Sequence, residues 1–153
     1  MDPSAPGVYI TVFAASDIDG IVAIENTCFQ HAWRRESFET ELNIANAGGY
    51  VARDIMGGAI AGYIVFRTFH DEMHILKLAT GLAWRRRNIA YALIQKAMET
   101  ARANRISDIF LEVRASNKPA IAVYKKAGFA VNGIRKGYYA EGDDALMMIN
   151  AGF

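Results

Sequence analysis

The chain has 153 residues, 52% hydrophobic and 22% charged, so one globular, soluble domain with a real core is expected. A formal net charge of +1 argues against a general polyanion binder, and the single cysteine, Cys28, excludes an intrachain disulfide and a multi-cysteine zinc site. No stretch approaches the roughly 18 apolar residues of a membrane helix, and no basic segment followed by an apolar core opens the chain, so a cytoplasmic protein that meets no membrane is expected.

Met1 to Gly7 reads as a loose tail, which leaves residues 8–153 as one domain. Val8 to Phe13 alternates and is β-branched, the mark of a strand. Ser16 is an N-cap candidate, with Asp17 and Asp19 in the first turn, where negative charge suits the helix dipole. The helix continues through Ile18, Ile21, Val22, Ile24 and Glu25 to about Cys28. Phe29 to Arg34 is a loop carrying Trp33. A second helix runs from Arg35 to about Asn46, with Phe38 and Leu42 on one face. Gly48-Gly49 breaks the chain before a strand from Tyr50 to Arg53. Turns at Met56-Gly57-Gly58 and His70-Asp71-Glu72 separate strands from Ala59 to Thr68 and from Met73 to Thr80. After a loop from Gly81 to Arg87, apolar residues at Ile89, Ala90, Leu93, Ile94, Ala97 and Ala101 have helical spacing up to about Asn104.

Next comes a short apolar run with one acid inside it, Ile109-Phe110-Leu111-Glu112-Val113, which reads as a strand starting at Asp108. Asn117-Lys118-Pro119 starts a helix that stops at Gly128, with Ile121 and Tyr124 sharing a face and Lys125 pointing away. Ala130 to Arg135 and Ala145 to Asn150 form closing strands around a loop from Tyr138 to Asp144. A mostly antiparallel sheet followed by a βαβ crossover makes a mixed α/β domain of about seven strands and four helices.

Arg85-Arg86-Arg87-Asn88-Ile89-Ala90 lies between a strand and a helix N-terminus, a ready anion site, since free N–H groups and the dipole face the ligand. The same run also reads as a solvated basic corner. Glu112 is expensive in an apolar strand unless it is used or paired, with Arg114 or another base. Tyr124 is either a proton donor or a packed aromatic with its hydroxyl satisfied. The histidines, His31, His70 and His74, lack the spacing of a metal site, so no metal is expected. Cys28, with His31 three residues on, is a poor candidate for a covalent acyl carrier.

The pattern LEVRASN–AI–Y–GF, spanning Leu111 to Phe129, resembles the later half of the Gcn5-related N-acetyltransferase (GNAT) fold. Within that family it is similar to the bacterial ribosomal-protein alanine N-terminal acetyltransferases. The likeness continues through Arg135-Lys136-Gly137-Tyr138-Tyr139 and, more weakly, along nearly the whole chain. It implies acetyl-CoA as the acetyl donor, Glu112 as general base and Tyr124 as the acid that protonates the leaving thiolate. It implies a phosphate loop of the form (Gln/Arg)-x-x-Gly-x-(Gly/Ala) at Arg85, Arg86, Arg87, Asn88, Ile89 and Ala90, with Tyr91 following. It also implies that the backbone of Leu78, Ala79 and Thr80 pairs with the pantetheine and that Asn117 bonds the coenzyme, a role that does not exclude the helix cap read from the residues. Asn88 departs from the family glycine: it tolerates left-handed backbone, but its side chain would crowd the phosphates. Gly81-Leu82 replaces the usual Asp-Pro just upstream.

For the acceptor, Tyr138 and Tyr139 resemble the Arg-x-x-Tyr-Tyr of protein N-terminal acetyltransferases, and Trp33 in the loop between the first helices is a further candidate. Glu141, Asp143 and Asp144 read as an acidic rim; the alternative is that both tyrosines pack the hairpin and the acids form a turn. The implied acceptor is a protein N-terminus, that of a small-subunit ribosomal protein with N-terminal alanine. Competing readings are an acetyltransferase for a small amine or a lysine side chain, and a non-catalytic acyl-CoA-binding module. A nucleic-acid role would need a basic face with aromatic interleaving, which the sequence lacks, so none is expected. Oligomeric state is open.

Overall fold

The computed structural model describes residues 5–152. The strands are β1 (Val8–Val12), β2 (Ala47–Asp54), β3 (Ile60–Phe69), β4 (Glu72–Thr80), β5 (Asp108–Arg114), β6 (Ala130–Arg135) and β7 (Ala145–Ala151). The helices are α1 (Ile18–Cys28), α2 (Arg35–Leu42), α3 (Ile89–Ala103) and α4 (Lys118–Lys126). They form a single mixed sheet in the order β1-β2-β3-β4-β5-β7-β6, with only the β4–β5 pair parallel.

Both faces of the sheet are covered. α1 and α2 pack Ile18, Ile21 and Phe38 on one face, against Val51, Tyr63 and Val65. α3 and α4 pack Leu93, Ile94, Ala97 and Ile121 on the other, against Ile64, Ile109, Leu111 and Met148. Burial on two faces explains why β3 is buried without a gap from Ala61 to Phe66. No helix among the described residues is long and apolar enough to cross a membrane.

Three local expectations are corrected. Of the tail expected over Met1 to Gly7, residues 1–4 lie outside the described ones. Ala5, however, is buried, and the Gly7 carbonyl accepts the Ile55 N–H at 3.0 Å, so the chain is packed before Val8. The first helix is not capped by Ser16. A short 3-10 turn, Ala15–Asp17, precedes it, and the Asp17 carboxylate accepts the Ala14 N–H at 2.8 Å while pairing with Arg53. Gly48 and Gly49 do not break the chain but lie within β2. A β-carbon on Gly48 would sit 2.8 Å from the Phe66 ring, and one on Gly49 would sit 2.7 Å from the Ile64 carbonyl oxygen. These glycines serve close packing, which a sequence pattern cannot distinguish from a turn.

Candidate active site

The site begins with a bulge. Against β3, Val65 pairs with Lys77 and Phe66 with Ile75, so Leu76 is an extra residue in β4. A bulge bends its strand. On its other edge β4 pairs with β5 only from Glu72 to His74, and beyond His74 the strands separate. The later half of β4 therefore presents backbone N–H and C=O groups that β5 does not use. At its end the Thr80 hydroxyl is buried without a partner, the one such side-chain atom found among the described residues.

Into this opening β5 delivers Glu112. Ile109, Leu111 and Val113 are buried toward α3 and α4, so alternation turns Glu112 to the opposite face. Glu112 does not pair with Arg114. Its carboxylate Oε2 lies 2.6 Å from His74 Nε2, and its side chain is 22% exposed, so it is sheltered but not sealed from solvent. The contact follows from register: His74 sits opposite Phe110, and Glu112 is its diagonal neighbour on the same face, within reach of two long side chains. Arg114 instead binds Glu141, with contacts of 3.1 and 3.3 Å.

α4 starts as expected, with the Asn117 side chain accepting the Ala120 N–H at 3.3 Å. One face buries Ile121 and Tyr124, and Lys125 is exposed. Burial first, then the neighbouring Tyr139, pushes the Tyr124 phenol well above its ordinary range, so it is a firm proton holder. Tyr139 is raised mainly by burial, opposed by the Arg114 guanidinium stacked 4.0 Å from its ring centroid.

The loop ahead of α3 has the backbone of an anion cradle. Arg86 and Asn88 both have positive φ, 63° and 65°, and no side chain caps the helix. Asn88 thus takes the left-handed conformation expected of it. Its side chain is occupied elsewhere: Oδ1 accepts from Lys126 of α4 at 3.1 Å, and that ammonium lies 4.3 Å from the Tyr91 ring centroid. The arginines diverge, Arg85 toward the Cys28 sulfur at 3.6 Å and Arg87 over the Trp84 ring at 4.9 Å. Ile89 and Ala79 are buried core residues that can contribute only backbone, while Ala90 and Tyr91 form the partly exposed first turn of α3.

A single cleft of about 890 Å³ brings together Trp33, Leu78, Arg85, Glu112, Asn117, Tyr124, Tyr138 and Tyr139. That size is typical of a small-molecule site. The remaining residues of the loop, Arg86 to Tyr91, lie outside its lining, as do Ala79 and Thr80. Tyr138 and Tyr139 stack edge to face at 5.1 Å, with Tyr138 half exposed. The acidic rim is largely spent internally. Glu141 binds Arg114 and His31, Asp143 accepts from Ser116 at 2.6 Å, and Asp144 accepts the Gly137 N–H at 2.9 Å. Glu141 is lowered first by its own backbone N–H and then by Arg114. Cys28 has its sulfhydryl on the Thr80 carbonyl at 3.4 Å, and its expected neighbour His31 turns to Glu141 instead.

Sequence reasoning missed His74, weighed only as a metal ligand, and the cluster Glu25–Tyr63–Lys77. One signal was present for the latter: Glu25 falls on the α1 stripe with Ile18 and Ile21, a carboxylate where an apolar residue is expected.

The sequence matches the acetyltransferase (GNAT) family over residues 18–129. A protein of Bacillus subtilis (strain 168), provisionally named a ribosomal protein bS18-alanine N-acetyltransferase, is 35% identical over 86% of this chain and 87% of its own length. An N-alpha-acetyltransferase of Sulfurisphaera tokodaii is 31% identical, covering 87% of this chain and 86% of its own. Among solved structures, the Escherichia coli ribosomal-protein-S18-alanine N-acetyltransferase superposes with a TM-score of 0.87 at 24% identity, covering 95% of this chain and 94% of that one.

Proposed function

This chain belongs to the acetyltransferase (GNAT) family and is an N-acetyltransferase; on that premise we propose that it acetylates the α-amine of a protein N-terminus, in particular the N-terminal alanine of a small-subunit ribosomal protein. The observation that carries the reading is the Glu112–His74 pair at the point where β4 and β5 part, lining the same cleft as Tyr124. Acetyl-CoA supplies the acyl group as an activated thioester.

The residues divide the work. The N–H groups at the start of α3, with Arg85 nearby, hold the pyrophosphate. The unpaired edge of Leu78, Ala79 and Thr80 bonds the pantetheine amides, and Asn117 lies alongside. The orphaned Thr80 hydroxyl and the free β4 edge both fit a ligand with several amides. Trp33, Tyr138 and Tyr139 flank the acceptor. Glu112, oriented by His74, takes the proton from the acceptor ammonium, directly or across one water. An α-amine has an ordinary pKa of about 8, so this costs little near neutrality. The neutral Tyr124 phenol donates to the departing sulfur.

The test is calorimetry with acetyl-CoA, followed by a peptide beginning Ala-Arg, read by thiol release. Release with the free peptide but not with its N-terminally blocked form supports the reading. Release with free polyamines or amino acids alone would favour a small-amine enzyme. Binding without release to any amine would favour a binding module.

A further inference from the structure

Behind the acceptor side of the cleft lies a polar cluster that the chemistry above leaves unused. Glu25 of α1 is fully buried. Its carboxylate accepts from the Tyr63 hydroxyl, from the Trp33 backbone N–H at 2.8 Å and from the Lys77 ammonium at 2.8 Å. The cluster pins the Phe29–Trp33 loop to β3 and β4. Burial, then the Glu25 charge, pushes the Tyr63 phenol up, so it stays a donor.

Lys77 is the member that reaches the cleft. It lines the wall, its side chain is 15% exposed, and its ammonium lies 4.0 Å from the Phe29 ring centroid and 5.4 Å from that of Trp33. Glu25 is the sealed member of the pair, and the Lys77 side chain is the member that reaches the cleft lining. Lys77 cannot easily swing away, because its departure would strand a buried carboxylate. Its place in the strand sets what it can sense. It lies between His74, which holds the base, and Leu78, at the head of the free edge. Lys77 and Glu112 line the same cleft, so on the peptide reading the acceptor's first side chain is brought to the wall that Lys77 forms. The partly balancing Glu25 and the aromatic faces keep its field short-ranged, suited to discrimination rather than to long-range steering.

We propose that Lys77 is a specificity-determining residue that reads the first side chain of the acceptor by charge, admitting small neutral or acidic side chains and rejecting lysine and arginine. The inference rests on the peptide reading above and deepens it. A cationic first side chain meets a like charge whose counter-ion is sealed behind it, and like charges placed together in an interface are strongly disfavoured.

The experiment compares kcat/KM for peptides that begin with Ala, Glu or Lys and are otherwise identical. The enzymes are the unsubstituted chain, Lys77→Met, Lys77→Arg, and the double variant Glu25→Gln/Lys77→Met, which leaves no stranded carboxylate. The expected preference for Glu over Lys is about tenfold or more in the unsubstituted chain, is kept by Lys77→Arg, and falls toward unity in both Met variants. Because the ratio is internal to each enzyme, partial loss of folded protein cancels. An unchanged ratio in both Met variants overturns the proposal while leaving peptide acetylation standing. Acetyl-CoA binding with no turnover of any of the peptides overturns it together with the peptide reading.

Discussion

Glu112 and His74 meet at 2.6 Å across the last rung of the β4–β5 ladder, and Arg114, the nearer partner in sequence, is turned away to Glu141. A carboxylate beside an imidazole can pass a proton along, which one beside a guanidinium cannot, because Arg stays charged. Glu112→Gln should lower kcat/KM by about 10²–10⁴, the usual range for a positioned base. His74→Gln should lower it less, and the double variant should cost less than the product of the two. Steady-state rates on a peptide acceptor check this. Strictly multiplicative losses would show that the residues act independently.

Asn88 holds a left-handed conformation at φ 65° and spends its side chain on Lys126. Glycine keeps that conformation and removes the side chain that would crowd the phosphates. Asn88→Gly should therefore tighten acetyl-CoA binding several-fold, corresponding to about 1 kcal/mol. Titration calorimetry decides. Weaker binding would mean that the Asn88–Lys126 tie, rather than the backbone, shapes the loop.

Gly49→Ala should destabilise the fold by about 1–3 kcal/mol, because the added carbon meets a backbone oxygen that cannot step aside. Gly48→Ala meets a phenyl ring with the same nominal closeness, but a ring can turn, so the cost should be smaller. Urea denaturation of the two variants would reverse this order if the β2–β3 spacing can relax.

Tyr63 and Tyr124 both have phenols raised by burial. The unfolded chain releases such protons near pH 10, while the folded chain retains them. Stability from this source is whole below pH about 10 and is lost as pH rises above it, by up to about 1.4 kcal/mol per pH unit for each tyrosine. Denaturation midpoints between pH 9 and 11.5 measure the slope. Tyr124→Phe should flatten it, and an equal slope in that variant would remove Tyr124 as a source.

Much of the molecule was legible along the chain. Alternation in β5, the Asn117 cap, the Tyr124 face and the glycine that ends α4 are local consequences of residue type, and each stands where the pattern put it. The resemblance carried by Leu111 to Phe129 likewise rests on consecutive residues, and the family match over residues 18–129 bears it out. What the sequence could not supply is pairing between distant segments. His74 reaches Glu112 because the parallel register puts them on one face, and the bulge at Leu76 lies beyond them, where the two strands part. Glu25, Tyr63 and Lys77 converge from a helix and two strands. The acids from Glu141 to Asp144 look like a free rim in one dimension and prove to be partners of Arg114, Ser116 and a backbone amide. Local conformation depends on neighbours within a few residues and can be read from them. The destination of a charged side chain depends on which strand lies alongside, and only the closed sheet decides that.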